Sequence, residues 1–514
     1  MDQTGGGELA LALLSDRVLL NGTVTDVTLT GDGVLRWTEG GSQRCLEVDK
    51  EVLGFSTEGP RIKIRAVVES AKICCPGRRG APMRKTFVFE PQSEDLLRVW
   101  CQKLQDFIDS LGRPKRLFVF LNPFGGKKSA SKIFLDDVKP LLEDANVEFT
   151  LQETKHQLHA KEVVQTLDLS KYDGIVCVSG DGVLVEVVNG LLEREDWDTA
   201  IKIPLGAVPA GTGNGMAKSL LDSVGHPCTA FNAILAIIRG KRCSLDVATI
   251  SQGETRFFSV LTLAWGMSDI HLIVLNFKLV NPIIPYILCL VADIDIESEK
   301  YRWMGSARLD FYGLQRIFHL RKYNGRISFV PAPGFEDYGE PSSHMGEFMG
   351  QEICNPSHDE PMKVQQGSYR GPTVALESLN WRKIDGPFVS VWLHNVTWGG
   401  ENTKAAPDAK FSDGYLDLIL IRNCPRLALL ALMTELNNGN HVKSPLVFYF
   451  KVKAFVLEPG PRTDDATKEG IIDVDGEVLA RGKATYKSYQ KALMAYDKLQ
   501  ITVDQGLATI FTPL

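Results

Sequence analysis

Apolar and polar residues alternate in short runs along the first 112 positions of the chain. A period of two residues is typical of half-buried β-strands, and turn residues separate these runs. A segment that starts at Glu94 then repeats apolar residues at helical spacing and includes Trp100. The pattern predicts an all-β N-terminal region, residues 1–112, closed by one amphipathic helix. The predicted strands are VLLNGTVTDVTL, GVLRWTE, RCLEVD, RIKIRAVV and TFVFE.

The strands followed by this helix resemble a pleckstrin-homology-like module. Basic residues, Arg78-Arg79 and Arg84-Lys85, lie just before the last predicted strand. Many small barrels share the same pattern of strands and one helix. A docking barrel without a lipid site is therefore an equal interpretation of this region.

In residues 113–245 the pattern changes to apolar runs that alternate with segments of helical periodicity. The alternation of strand and helix predicts a parallel sheet with right-handed crossovers. Ligands of such sheets bind at the carboxyl ends of the strands. The predicted strands are RLFVFLNP, VEFTLQET, GIVCVSG and IPLGAVPAG, and the predicted helices are SKIFLDDVKPLLEDA, HAKEVVQTLDL and VLVEVVNGLLER.

From residue 246 to residue 514 short apolar runs are joined by long irregular segments, which predicts a β-sandwich-like domain. One predicted helix, PRLALLALMTELNNG, interrupts the strands. The fold class is thus α/β plus all-β, with the active site expected in the cleft between the last two domains. The predicted strands are ATISQ, TRFFSVLTLAWG, GRISFVP, FVSVWLHNVTW, YLDLILIR, FVLEP and YKSYQ.

Charge and cysteine usage narrow the class of protein. The net charge of -6 argues against nucleic acid as the main partner, because no general basic field exists to attract phosphate backbones. The 10 cysteines are scattered without a CxxC pair, and the N-terminus lacks the pattern of a signal peptide. We therefore expect a reducing compartment and a cytoplasmic location.

Three predicted strand ends in the α/β region finish in glycine-rich turns: NPFGGK (122–127), SGDG (179–182) and PAGTGNG (209–215). Glycines let the backbone approach a ligand, and helix N-termini attract anions. Three such turns on neighbouring strands predict a phosphate-rich ligand. The spacing matches neither the Walker A motif nor the dinucleotide fingerprint, so a nucleotide site of another type is expected.

Asp181 lies at a strand end between two glycines, on the same edge as the other loops. A carboxylate there can accept the proton of an attacking hydroxyl or hold Mg²⁺ near phosphates. The alternative interpretation is that Asp181 caps the next helix, since Asp is a favourable N-cap residue.

Six segments, in order, resemble the sphingosine (long-chain-base) kinases, within the diacylglycerol-kinase-like lipid kinases. They are NPFGGK, VSGDGVLVEVVNGL, PAGTGNGMA, LAWG, ADIDIESEKYRWMG and DVDGE. The resemblance extends from Lys115 to the end of the chain. The sequence IESEKYR is the motif that separates sphingosine kinases from their relatives. The N-terminal extension resembles that of the plant members.

The resemblance implies roles for the matching residues. Asp181 would be the catalytic base, Ser179, Gly180 and Gly182 would complete the substrate loop, and Asp295 would bind the amino group of the lipid. Phe124 departs from the family, where this position is often basic. The residues implied in ATP binding are Asn122, Pro123, Phe124, Thr154, Lys155, His156, Gln157, Leu158, Glu186, Gly211, Thr212, Gly213, Arg302, Arg308, Asp475, Gly476 and Glu477.

The implied activity is transfer of phosphate from ATP, with Mg²⁺, to the C1 hydroxyl of sphingosine, dihydrosphingosine or phytosphingosine, giving the 1-phosphate. The alternatives are a diacylglycerol or ceramide kinase of the same superfamily, or a catalytically impaired lipid-binding variant. No metal-ligand set is assigned. The expected partners are the lipid and an intracellular membrane surface, the vacuolar membrane being the first candidate.

One segment departs from the family pattern. In the family LAWG runs directly into the segment that carries Asp295, whereas here residues 267–289 intervene. This run is apolar, but it contains Lys278 and two prolines, and a membrane span here would separate Asp181 from Arg302. We interpret it as an insertion without a designed role, and a membrane-touching flap is the second interpretation.

Overall fold

The computed structural model describes residues 11–20, 22–69, 82–125, 129–266, 320–342, 367–372, 379–485, 489 and 491–513. The insertion at 267–289, the predicted site residues Asp295, Arg302 and Arg308, and nearly all of the predicted strand YKSYQ lie outside these ranges. Within them, no helix is long and apolar enough to cross a membrane.

The N-terminal region is one antiparallel sheet of seven strands in the order β4-β3-β2-β1-β7-β6-β5, followed by helix α1. Ser93 caps α1 by accepting a hydrogen bond from the backbone N–H of Leu96. Trp100 and Leu104 of α1 are buried against the sheet, so the predicted all-β region with a closing helix is confirmed. The elements are β1 Ala12–Leu20, β2 Thr23–Thr30, β3 Val34–Glu39, β4 Ser42–Glu47, β5 Val52–Glu58, β6 Arg61–Glu69, β7 Pro82–Pro91 and α1 Glu94–Ser110.

The second region contains four parallel strands in the order β11-β10-β8-β9, as the alternation of strand and helix predicted. All six residues of β10 are buried, which explains its continuous apolar sequence. The elements are β8 Arg116–Leu121, α2 Ala130–Ile133, a π-helical segment Phe134–Val138, α3 Lys139–Asp144, β9 Glu148–Glu153, α4 His159–Thr166, β10 Gly174–Ser179, α5 Asp181–Leu192, α6 Trp197–Ala200, β11 Leu205–Pro209, α7 Gly215–Asp222 and α8 Ala230–Arg239.

The third region is rich in β-structure around a core that includes Trp265, Tyr323, Phe388 and Phe455. The predicted strand TRFFSVLTLAWG is divided into two strands by a turn at Val260. The elements are β12 Arg242–Gln252, β13 Thr255–Ser259, β14 Thr262–Gly266, β15 Tyr323–Pro331, β16 Glu340–Pro341, β17 Arg382–Asp385, β18 Ser390–His394, β19 Leu416–Ile421, α9 Arg426–Thr434, β20 Phe448–Arg462, β21 Ile471–Val474, β22 Glu477–Arg481 and β23 Leu499–Phe511.

Strand β23 joins the second and third regions into one continuous sheet. It runs parallel to β11, where Leu205 is opposite Ile510, and antiparallel to β12 and β20. The sequence analysis did not predict this strand. Its pairing partners lie far away along the chain, and the local pattern of apolar residues does not encode them.

The N-terminal region packs directly against the α/β region. The half-buried side chain of Arg113 bridges the two regions, and Arg84 forms an ion pair with Asp144 at 2.6 Å. A Cβ atom at Gly54 would lie 2.8 Å from the carbonyl oxygen of Asp144, so only glycine permits this close approach. Arg113 donates hydrogen bonds to the carbonyl oxygens of Val48, Asp49, Val52 and Leu53.

Candidate active site

The glycine-rich loops that follow β10 and β11 touch each other at the carboxyl edge of the parallel sheet. A Cβ atom at Gly211 would lie 2.2 Å from the Cα atom of Gly180, and one at Gly180 would lie 2.8 Å from the carbonyl oxygen of Gly213. Glycine is therefore required at both contact points. Ser179 is buried beside them, and its hydroxyl donates to the carbonyl oxygen of Gly180 at 2.7 Å.

Asp181 is the first residue of α5, but its carboxylate does not cap that helix. Its Oδ2 accepts a hydrogen bond from the backbone N–H of Gly215 at 2.6 Å, and its Oδ1 accepts one from Met216 at 3.1 Å. These two amides open α7, so Asp181 caps the helix that follows the neighbouring loop. The backbone N–H of Asp181 also donates to the carbonyl oxygen of Gly213 at 3.0 Å.

The surroundings of Asp181 favour a proton acceptor that works near neutral pH. Enclosure of its carboxyl group by protein raises the pKa of Asp181 to about 6. The hydrogen bonds from Gly215 and Met216 act in the opposite direction, and the charge of Glu401 raises the pKa further. A carboxylate with a pKa in this range is suited to general-base catalysis.

Glu186 holds the loop of residues 154–158 against helix α5. Its two carboxylate oxygens accept hydrogen bonds from the backbone N–H groups of Leu158 at 2.9 Å and Ala160 at 3.1 Å. Leu158 adopts the left-handed conformation with φ of 68°, which this capping contact stabilises. Burial raises the pKa of Glu186.

Glu477 brings the third region of the chain to the same place. Its Oε2 accepts a hydrogen bond from the side-chain amide of Gln157 at 2.8 Å, and its Oε1 lies 3.8 Å from the position of a Cβ atom on Gly182. Gly476, beside it, has open space around its Cα atom. The loops at Gln157, Gly182 and Glu477 therefore meet, although they are distant in sequence.

Asp475 is buried, and its carboxylate closes the turn between β13 and β14. It accepts hydrogen bonds from the hydroxyl of Ser259 at 2.8 Å and from the backbone N–H of Thr262 at 2.7 Å. The N–H groups of Val260 and Leu261 also donate to it, each at 3.1 Å. Burial raises the pKa of Asp475 to about 7, against the effect of these four donors. Its predicted contact with ATP stays a prediction, and the structure places it as the support of this turn.

The first loop is shaped by Asn122, whose Oδ1 accepts hydrogen bonds from the backbone N–H groups of Phe124 at 3.0 Å and Gly125 at 3.1 Å. This turn presents the Phe124 side chain to solvent, with 66% of its surface exposed. Pro123 lies within the turn. The loop follows β8, which is the neighbour of β10 in the sheet.

The second loop starts at Thr154, which is buried and donates its N–H to the carbonyl oxygen of Leu121 at 2.8 Å. The next two residues are exposed: the N–H of Lys155 donates to Nδ1 of His159 at 3.3 Å, and the His156 ring lies 4.9 Å from the His159 ring.

Three further residues hold the site together and were missed by the sequence analysis. Asn189 is buried in α5 and exchanges hydrogen bonds with the backbone of Phe258 at 2.7 and 3.0 Å, which ties α5 to strand β13. A polar residue within the apolar run VLVEVVNGLL was the available signal for it. Asn214 and Glu401 are joined by a 2.7 Å hydrogen bond. Nothing in the sequence around Glu401 indicates this contact.

Two family models match the chain. The model of the diacylglycerol kinase catalytic domain matches residues 116–250. The model of the YegS C-terminal NAD kinase beta sandwich-like domain matches residues 375–495. The α/β region therefore belongs to a lipid-kinase type of domain, and the third region contains the β-sandwich-like domain that the sequence predicted.

Sphingosine kinase 1 of Arabidopsis thaliana is 60% identical over 503 residues, covering 98% of this chain and 97% of that protein. The chain belongs to the sphingosine kinase family. Human sphingosine kinase 1 is 34% identical, and the alignment covers 72% of this chain and 87% of that protein. Human ceramide kinase is 30% identical and covers 76% of this chain and 69% of its own length.

The alignment with the Arabidopsis sphingosine kinase spans nearly the whole chain and so takes in the N-terminal region. The family resemblance predicted from six motifs is thereby confirmed. Among the site residues that the family resemblance predicted for this chain, the structure brings together Ser179, Gly180, Asp181 and the 211–213 loop. It also brings Gln157 and Glu477 beside Gly182. Asp295, Arg302 and Arg308 lie outside the described residues.

Proposed function

We propose that this protein transfers the γ-phosphoryl group of ATP to the C1 hydroxyl of a sphingoid base. The observation that carries the proposal is the Asp181 carboxylate, fixed by two backbone amides where two glycine loops touch. The 60% identity to an Arabidopsis sphingosine kinase supports the choice of lipid.

In this mechanism Asp181 takes the proton of the attacking hydroxyl as that oxygen bonds to phosphorus. The N–H donors of Gly215 and Met216 hold the carboxylate in one orientation, so little reorganisation is needed when the hydroxyl arrives. Each carboxylate oxygen keeps a further lone pair for the proton. Gly180, Gly182 and Gly211 carry no side chains and leave room for the hydroxyl and the phosphates.

We infer that ATP occupies the cleft between the α/β region and the β-rich region. The hydrogen bond between Gln157 and Glu477 spans this cleft beside the Asp181 loop and supports that placement. Among the described residues, no three acidic, histidine or cysteine side chains converge on one point. Mg²⁺ binds through one or two carboxylates plus phosphates, and Glu477, beside Gly182, is a carboxylate that would hold it there. When bound, Mg²⁺ would neutralise charge that develops on the phosphates.

The similarity to human ceramide kinase makes ceramide a second candidate substrate. Transfer of labelled phosphate from ATP should be measured on sphingosine, dihydrosphingosine, phytosphingosine, ceramide and diacylglycerol, with Asp181→Asn as the control. Transfer to the three free bases alone supports the proposal. Faster transfer to ceramide or diacylglycerol identifies another kinase of the superfamily, and no transfer to any lipid supports the catalytically impaired variant.

We further propose that the protein works in the cytoplasm as a peripheral enzyme on an intracellular membrane, because its proposed substrate resides there. For the N-terminal region we propose a docking role with a pleckstrin-homology-like architecture. The contacts of Arg113 and Arg84 with their partners across the boundary support docking against the α/β region. Co-sedimentation with vesicles, before and after removal of this region, distinguishes docking from lipid binding.

A further inference from the structure

A short segment of the β-rich region, residues 398–404, lies across helix α7, and we name it the cross-domain loop. The backbone N–H of Trp398 donates to the hydroxyl of Ser219 at 3.0 Å, and its indole N–H donates to Asp222 at 3.0 Å. Lys218 lies over the Trp398 ring, 4.3 Å from its centre. A Cβ atom at Gly215 would lie 2.5 Å from the carbonyl oxygen of Trp398. The loop is thus seated directly on the helix that Asp181 caps.

Glu401 projects from the cross-domain loop toward the glycine loop that precedes α7. Its Oε1 accepts a hydrogen bond from Nδ2 of Asn214 at 2.7 Å. Asn214 is only 3% exposed, and its side chain both donates to the carbonyl oxygen of Gly211 and accepts from the N–H of Gly211, each at 3.1 Å. Glu401 therefore fixes a side chain that folds the 211–213 loop back on itself.

Asp181 also holds this loop, through Gly213, and the start of α7, through Gly215 and Met216. The charge of Glu401 acts on Asp181 and raises its pKa. Other charged groups near this point are Lys218 and Asp222, which pair with each other at 3.0 Å, Lys404, which lies 3.9 Å from Asp222, and Glu477 beside Gly182. The thiol of Cys228 also faces these groups, and burial raises its pKa to about 12, so it carries no charge.

We propose that Glu401 is a positioning residue for phosphoryl transfer: it fixes Asn214, and with it the 211–213 loop, and its negative charge acts on Asp181. This inference rests on the proposed function. Glu401 belongs to the β-rich region, so both effects originate there. The position of the cross-domain loop on α7 therefore couples the β-rich region to Asp181 and to the predicted nucleotide loop. The hydrogen bond and the charge are separable, because a glutamine at this position keeps the acceptor and removes the charge.

Three variants separate the two effects: Glu401→Gln, Glu401→Ala and, as control, Glu254→Gln, whose carboxylate is exposed and pairs with Arg370 at the surface. Glu401→Ala should raise the KM for ATP about tenfold, as expected for loss of a charge-assisted hydrogen bond that positions a binding loop. The KM for sphingosine should stay within about twofold, because the 211–213 loop is a predicted nucleotide contact.

Glu401→Gln should leave the KM for ATP within about threefold but move the acidic limb of the pH profile of kcat/KM to lower pH, by up to about one unit. The direction follows because removing a like charge lets Asp181 lose its proton more easily. A purely structural role would reduce activity at every pH without moving the limb. An unmoved limb in Glu401→Gln, or an unchanged KM for ATP in Glu401→Ala, overturns the proposal.

A double-mutant cycle shows whether Glu401 acts through Asn214. In an Asn214→Ala background, Glu401→Ala should have less than about a third of its effect on the KM for ATP, because the shared hydrogen bond is already gone. Full additivity contradicts the inference. If the wild-type protein phosphorylates no lipid, the proposed function is overturned. If the wild-type protein is active but the Glu401 variants keep its KM for ATP and its pH profile, only this inference is overturned.

Discussion

The Oδ2 atom of Asp181 lies 2.6 Å from the backbone nitrogen of Gly215, so a carboxylate on one glycine loop caps the helix that follows another. The positive end of the α7 dipole and two amide donors stabilise the charged form of the side chain, while enclosure favours the neutral form. The balance leaves the pKa of Asp181 at about 6. The contact of Asp181 with the start of α7 thus fixes the geometry of the proposed base and adjusts its affinity for a proton.

Replacement of Asp181 by asparagine should lower kcat by ~10²–10⁴-fold, because an amide cannot take the hydroxyl proton. The fold should survive, since the asparagine oxygen still accepts one of the two α7 amides. Turnover on sphingosine and thermal unfolding measure the two effects. Asp136→Asn, on an exposed helical position, is the matched control. Near-native turnover of Asp181→Asn would reduce Asp181 to a helix cap.

The pH dependence of kcat/KM should show an acidic limb near pH 6, where the Asp181 carboxyl titrates. The proposed base works only when it is deprotonated, so the rate should fall as the pH drops through this value and level off above it. Initial rates between about pH 5 and pH 8, which bracket this pKa, test the prediction. Rates that stay level down to pH 5 would place the limb near about 4, the ordinary value for an exposed aspartate, and would show that enclosure does not govern this group.

Replacement of Glu186 by alanine should loosen the 154–158 loop, because the N–H groups of Leu158 and Ala160 lose their acceptor. Loss of such a cap costs about 0.5–2 kcal/mol of stability. The KM for ATP should rise as well, since this loop is a predicted ATP contact. Urea unfolding and ATP titration are the measurements. Glu143→Ala, on the surface of α3, should change neither quantity.

Replacement of Arg113 by lysine should weaken the junction between the N-terminal and α/β regions. Lysine keeps the charge but cannot spread donors over the four carbonyl oxygens that the guanidinium contacts. We expect a loss of at least about 2 kcal/mol, with faster proteolytic cleavage at the junction. Arg98→Lys, exposed on α1, controls for the change of residue type. Equal cleavage rates in both variants would contradict the docking role.

The sequence predicted those parts of the fold that local patterns encode. Buried parallel strands such as β10 have continuous apolar runs, and the glycine loops at their ends locate Asp181. The contacts of its carboxylate were not predictable, because the amides of Gly215 and Met216 carry no sequence signal of their own. Glu401 was missed for the same reason: its role depends on Trp398 seating a distant loop on α7.

Strand β23 also has a consequence for the order in which the protein is made. The parallel sheet is synthesised early, but the neighbour of β11 at Leu205 is Ile510, which leaves the ribosome only after the β-rich region. At ~5–20 residues per second, this interval lasts on the order of tens of seconds. During that time β11 presents an unpaired edge, which is a hazard for aggregation. We therefore expect chains that end before Leu499 to aggregate more readily than the full chain.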